Sequence, residues 1–450
     1  MQEIDFSADQ LVSTLLSLAG TADICILDSC GVGHLGSHLL IAGISPVETH
    51  ELTFDDPSKT LAVFDEKLSD TDLAAIFTIS YDFGLKLNKI SSRAKEYASF
   101  PEPDIFAALF DCLVIHDYDK QKTFISGNNK EISRIAKLLK GTETRENEAP
   151  SEKSYVYSNN SKQSYLASIE KIKERIRRGD TYQTNLTQQL RGELPNGLDC
   201  QQIFARLRKN NPAPFAAFLK RPNSTVISAS PERFVEITKP KDDGPSIIRT
   251  SPIKGTRPRG SNAIEDAELR GELLASEKDR AENTMIVDLL RNDIGRICEF
   301  GTVKVEKLCD LEEHPTLFHL VSTVSGQLLD NVAYSDILRA VFPCGSITGA
   351  PKLRTMQIID ELETVNRGLS MGAIGYRIPG ERFSVPESFD MSVAIRTIVV
   401  HGREAVFNVG GGIVIDSDPE NEYDETLIKA KALIEALGFE FRPESVLPQK

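Results

Sequence analysis

Two pairs of carboxylates stand out by their spacing. Asp279 and Glu282 lie three residues apart in a stretch with helical patterning. Glu422 and Glu425 repeat the spacing towards the C-terminal end, with Lys429 one turn further on. On a helix that spacing puts both side chains on one face. If the two faces converge, they offer the oxygen ligands that a hard divalent cation such as Mg²⁺ takes. If they do not, they are two solvated acidic faces. A third candidate is Lys254, within Thr250-Ser-Pro-Ile-Lys-Gly-Thr-Arg-Pro-Arg-Gly260. An amine held there out of water is a nucleophile with a lowered pKa; in water, the same segment is a basic turn. Gly410-Gly411-Gly412 follows the strand-like run Glu404–Val409. It either brings backbone N–H groups close to an anion or makes a hairpin or bulge. His319, in an apolar run, reads as a satisfied core residue or as a catalytic group.

The elements that must position these groups are partly legible. Tyr165, Ile169, Ile172 and Ile176 recur at helical spacing before Gly179. Helical patterns also cover about 264–292 and 421–437. Short apolar runs at Ile24–Leu27, Leu61–Phe64, Cys112–Ile115, Phe215–Leu219, Thr225–Ser228 and Phe234–Ile237 predict strands. The mixture predicts an α+β protein with antiparallel sheets and outer helices, not a regular βαβ alternation. The polar stretch 141–163 reads as a linker between an N-terminal region, 1–140, and a second region, 164–440.

Composition narrows the function classes. The 450 residues predict two or three domains at about 150 residues each. With 52 Lys+Arg against 66 Asp+Glu the formal net charge is −14, which disfavours nucleic-acid backbones and anionic lipid as partners. It leaves room for a small anion in a locally basic pocket. The seven cysteines are scattered, without CxxC or zinc-ligand spacing, as suits a reducing cytoplasm. The start, MQEIDFSADQ, does not read as a signal peptide, and 29–47 reads as strand and turn rather than a membrane span. A cytoplasmic enzyme that handles a small anion is the expectation.

The order of motifs goes further. Gly179-Asp-Thr-Tyr-Gln-Thr-Asn-Leu-Thr187, Ser230-Pro-Glu-Arg-Phe234, Pro252-Ile-Lys-Gly-Thr256 and Asp279-Arg-Ala-Glu-Asn283 come first. Asp288–Arg296, His319-Leu-Val-Ser322, Gly345–Lys352, Ala394-Ile-Arg-Thr397, the glycine run and Glu422–Lys429 follow. Over about 165–437 this resembles the chorismate-utilising enzymes. The resemblance implies a sandwich of two antiparallel sheets with outer helices, to which the N-terminal region contributes.

Within that family, water-adding members carry a lysine where this chain has Gln183, and anthranilate-forming members usually an alanine where it has Lys254. The resemblance therefore implies amination of chorismate at C4, with Lys254 as nucleophile at C2 and Glu232 as general acid. It implies Mg²⁺ on Glu282 and Glu425, with Asp279 and Glu422 acting through water. Arg396, Lys429, Tyr376, Gly411 and Gly412 would hold the enolpyruvyl carboxylate, and Ser346, His319 and Thr256 would lie near the ring. A separate glutamine amidotransferase subunit would deliver ammonia for 4-aminobenzoate and folate synthesis. A tryptophan pocket is matched in part by Leu27 and Ser29, and by Pro214 and Phe215. The rival readings are an anthranilate synthase component and a catalytically silent scaffold that binds chorismate or the glutaminase.

Overall fold

A computed structural model describes residues 1–32, 38–93, 101–143, 154–239, 244–314, 317–383 and 385–446. Period-2 alternation explains its layering. Ile24 and Ile26 face one way from their strand and Cys25 the other. Ala75, Phe77 and Ile79 likewise point away from Ala74 and Ile76. Strands with two apolar faces must be covered on both sides. Here the Cys25 and Ile76 faces meet in a central core, while the outer faces carry helices. The result is an α+β sandwich of a 13-stranded and a 10-stranded sheet. Among the described pairings all are antiparallel except Phe439–Val446 against Ser154–Ser158.

Strands from both halves of the chain are interleaved. In the larger sheet Ile24–Asp28 lies between Leu39–Ile44 and Phe215–Lys220. In the smaller sheet Ala74–Ile79 pairs with Ala373–Ile378. The N-terminal region is thus built into both sheets.

Several expectations change in detail. Leu61–Phe64 belongs to the helix Pro57–Leu68, not to a strand. Asp56 caps that helix, Pro57 starts it, and Leu61, Phe64 and Leu68 share its buried face. Within 141–163, residues 144–153 lie outside the described residues. Ser154–Ser158 is a strand against Gln183–Glu193, as the alternation Tyr155-Val156-Tyr157 allows. The stretch at 264–292 is two helices, Ala263–Ala275 and Glu277–Ile294. Ser276 divides them because its hydroxyl caps the second, accepting from Asp279 N. The triple glycine is neither hairpin nor bulge. It lies inside the strand Glu404–Ile413, with Gly411 opposite Leu186 and Gly412 opposite Asn185.

Candidate active site

Two helix N-termini meet at the glycine-bearing strand. Glu277–Ile294 carries Asp279 and Glu282 in its first turns, and Pro419–Leu437 carries Glu422 and Glu425. The positive end of each helix dipole favours carboxylates there. Glycine makes the approach feasible. A Cβ on Gly411 would lie 3.3 Å from Glu422 Oε2, 3.7 Å from Lys429 Nζ and 3.9 Å from Glu425 Oε1. A Cβ on Gly412 would lie 2.0 Å from Gln183 Nε2 and 3.4 Å from Lys254 Nζ. A side chain at either position would therefore fill the cradle.

Lys254 comes from the strand Ile253–Pro258 of the smaller sheet and is half-buried. Glu232 precedes the strand Arg233–Thr238 and is buried. Burial pushes its carboxyl above the usual range, against a hydrogen bond from Ser346 and the charges of Lys254 and Lys429. Its Oε1 has no hydrogen-bond partner in the protein. Glu282 is also raised by burial, against the charges of Lys254 and Lys278, with Asp279 and Glu422 adding to the rise. Burial raises Glu425 too, but the Lys429 ammonium, 2.7 Å away, outweighs it and holds the group below its ordinary value. Lys429 also donates to Gly410 O at 3.0 Å.

His319 stands on the edge of this cluster, bonded through Nδ1 to Thr256 Oγ1 at 2.9 Å. Burial, helped by the charges of Arg396 and His314, lowers its pKa to about 3, so it is neutral near pH 7. Arg396 is in the left-handed region at φ 49°, and burial lowers its pKa. Asp279 turns towards Arg257, 3.4 Å away.

Tyr376 is not brought to the cluster. It lines a cavity between the sheets with Leu27, Ser29, Pro214 and Phe215, because its strand pairs with Ala74–Ile79 and Ser388–Val393 instead. The four residues matched to a tryptophan pocket thus share one cavity, and Ser29 Oγ within it has no protein partner.

Sequence reading passed over Lys278, whose Nζ is 3.6 Å from Glu422 Oε1. Its position four residues before Glu282 was the available signal. Two glycine spacings in the sequence carry no chemistry. Gly31-Val-Gly-His-Leu-Gly36 has dinucleotide-loop spacing; residues 33–37 lie outside the described residues, and the flanking strands Ile24–Asp28 and Leu39–Ile44 pair antiparallel, unlike the strand-to-helix setting such a loop needs. Gly368-Leu-Ser-Met-Gly372 has nucleophile-elbow spacing, but Ser370 is buried and accepts from Asn408 N at 3.2 Å.

The donor chemistry fits a hard cation, since carboxylate oxygens surround the Gly411 cradle. In the described geometry, however, ammonium groups interleave with them. Among the described residues no three acidic, histidine or cysteine side chains group closely enough to hold a metal ion as they stand.

A sandwich with this cluster on its glycine strand defines a class, and comparison with known proteins agrees. Residues 36–435 match the family described as chorismate binding enzyme, and the chain belongs to that family. Of individual relatives, Aminodeoxychorismate synthase component 1 of Escherichia coli (strain K12) is 36% identical over 406 residues, covering 88% of this chain and 85% of that one. The rice protein named "Probable aminodeoxychorismate synthase, chloroplastic" is 44% identical over 274 residues, and there the chain spans only 29% of the relative's length. Among solved structures, anthranilate synthase component I from Streptococcus pneumoniae TIGR4 superposes with a TM-score of 0.75 at 27% identity, covering 89% of this chain and 93% of that one. No helix among the described residues is long and apolar enough to cross a membrane.

Proposed function

We propose that this protein aminates chorismate at C4 to give 4-amino-4-deoxychorismate, as the chorismate-binding partner of a glutamine amidotransferase. The observation that carries the reading is the juxtaposition of Lys254 and Gln183 at the Gly412 cradle, with the Lys254 charge also acting on buried Glu232. An amide at Gln183 cannot activate water as a general base, which disfavours hydroxylation. An amine at Lys254 supplies a nucleophile.

Direct displacement of hydroxide is difficult, so two easier displacements replace it. Lys254 Nζ, as the free amine, adds at C2, both ring double bonds shift, and the C4 hydroxyl leaves as water after taking the proton held by Glu232. The raised pKa of Glu232 suits that role. Ammonia then adds at C4, both double bonds shift back, the C2–nitrogen bond breaks to return the Lys254 amine, and the proton shed by the new C4 nitrogen restores Glu232. Glu282 and Glu425, with Asp279 and Glu422 further out, would hold Mg²⁺, which when bound neutralises the ring carboxylate. Lys429 and Arg396 would hold the enolpyruvyl carboxylate. His319, neutral and bonded to Thr256, serves as a polar contact, since no ring proton is removed. The inter-sheet cavity, which sets Asp28, Asp390 and an unpartnered Ser29 hydroxyl among apolar side chains, favours an aromatic amino acid such as tryptophan as a second ligand.

The test incubates the protein with chorismate, Mg²⁺ and excess ammonium salt and identifies products by mass. Aminodeoxychorismate is expected, falling to the detection limit in Lys254→Ala. Anthranilate and pyruvate would instead assign the anthranilate-forming activity. No product, even with a glutaminase added, would leave a binding scaffold.

A further inference from the structure

Lys278 is placed against expectation. It is the second residue of the helix Glu277–Ile294, where the helix dipole disfavours a cation. Yet its ammonium reaches across to the other acidic helix, 3.6 Å from Glu422 Oε1, and its charge also acts on Glu282 and Glu425. The Glu422 side chain is only 6% exposed, while that of Lys278 is 53% exposed. Glu422 is further fixed by Ser417 Oγ, which donates to its Oε1 at 2.6 Å. Lys429, by contrast, is tied to a backbone carbonyl as well as to Glu425. Of these two ammonium groups, that of Lys429 is therefore anchored and that of Lys278 stands on a solvent-facing stem.

We propose that Lys278 is an internal counter-ion that holds the carboxylate cluster together without metal and is displaced when a divalent cation enters. The proposal rests on the reading of these carboxylates as a Mg²⁺ site. It explains why the acidic groups converge yet do not group as a ready metal site: the ammonium stands in for part of the ion's charge. Two cations a few ångströms apart repel, so entry of Mg²⁺ must drive the Lys278 head outward into water, which its exposed stem permits.

The test measures Mg²⁺ binding to the full chain by calorimetry without chorismate, and thermal unfolding in chelator, for wild type, Lys278→Met and Lys278→Arg. Removing the competing charge is expected to tighten Mg²⁺ binding about tenfold, the order given by one nearby, partly screened charge. Lys278→Met should also melt lower in chelator, and that deficit should close in saturating Mg²⁺. Lys278→Arg should retain weak, wild-type-like metal binding. In a Glu422→Gln background the effect of Lys278→Met should shrink. Unchanged or weaker Mg²⁺ binding by Lys278→Met, with normal binding by wild type, would overturn the counter-ion role alone. Failure of wild type to bind Mg²⁺ would overturn the metal reading and this proposal with it.

Discussion

The strand Gln183–Glu193 serves two charged clusters that are treated in opposite ways. Around Thr187, Glu363 accepts from Thr187 N, Thr187 Oγ1 and two nitrogens of Arg367, all at 2.7–3.0 Å. Arg367 also donates to Ile347 O and Asn185 O, and lies over the Tyr81 ring. At the other end of the strand, Gln183 Oε1, Thr184 Oγ1 and Asn185 Nδ2 have no partner in the protein, nor do Glu232 Oε1 and His319 Nε2 nearby. Buried polar groups are nearly always paired, so a concentration of unpaired ones marks where something else binds. The first cluster specifies the fold. The second is shaped for a ligand, and it leaves buried polar atoms without protein partners to be so.

Breaking the satisfied cluster should have the largest effect on folding. Arg367→Met leaves Glu363 buried and uncompensated, and should lower unfolding free energy by about 3–5 kcal/mol in a urea titration. A loss below about 1 kcal/mol would mean the pair is not structural. Glu232→Gln should do the reverse. It should cut amination by roughly 10²–10⁴-fold, the usual range for a lost general acid, while the melting temperature holds or rises because a raised, buried carboxyl is replaced by a neutral amide. Retained activity would remove Glu232 from the chemistry.

The smallest effect concerns Asp82, beside the satisfied cluster. Burial pushes its pKa up to about 7, against backbone hydrogen bonds from Gly368 and Arg367 and the Arg367 charge. A carboxyl raised on folding contributes stability that is fully present below its ordinary pKa near 4 and is lost as pH rises through about 7. Wild type should therefore lose stability between about pH 4 and 7 by up to ~1.4 kcal/mol per unit more than Asp82→Asn, the difference levelling off above about pH 7. Parallel curves of melting temperature against pH for the two proteins would sink this assignment.

What was legible in the sequence follows the same division. Carboxylates at helical spacing, the glycine run and the position of Lys254 were readable because local periodicity and motif order fix them, and the α+β class followed from alternation of short strands and helices. Leu61–Phe64 was misread because a run of four apolar-rich residues does not distinguish strand from helix without its cap at Asp56. Spacing four residues before Glu282 points Lys278 at the cluster, but its ion pair with Glu422, 144 positions away in the chain, is not legible in sequence. The Glu363–Arg367 pair had helical spacing but no sign of Thr187, supplied by a strand far upstream. Tyr376 was assigned by motif alone, and strand pairing turned it towards the inter-sheet cavity instead.

Strand order carries a consequence for biogenesis. The cradle needs Glu404–Ile413 paired to Gln183–Glu193, and the helix Pro419–Leu437 laid over it. Both sheets also hold edges open for strands that emerge from the ribosome hundreds of residues later, as Ala74–Ile79 does for Ala373–Ile378. Such non-local pairing closes slowly and leaves unpaired edges meanwhile. A nascent chain stalled before residue 370 would therefore present adhesive strand edges and no cradle, and chaperone demand should peak late in its synthesis.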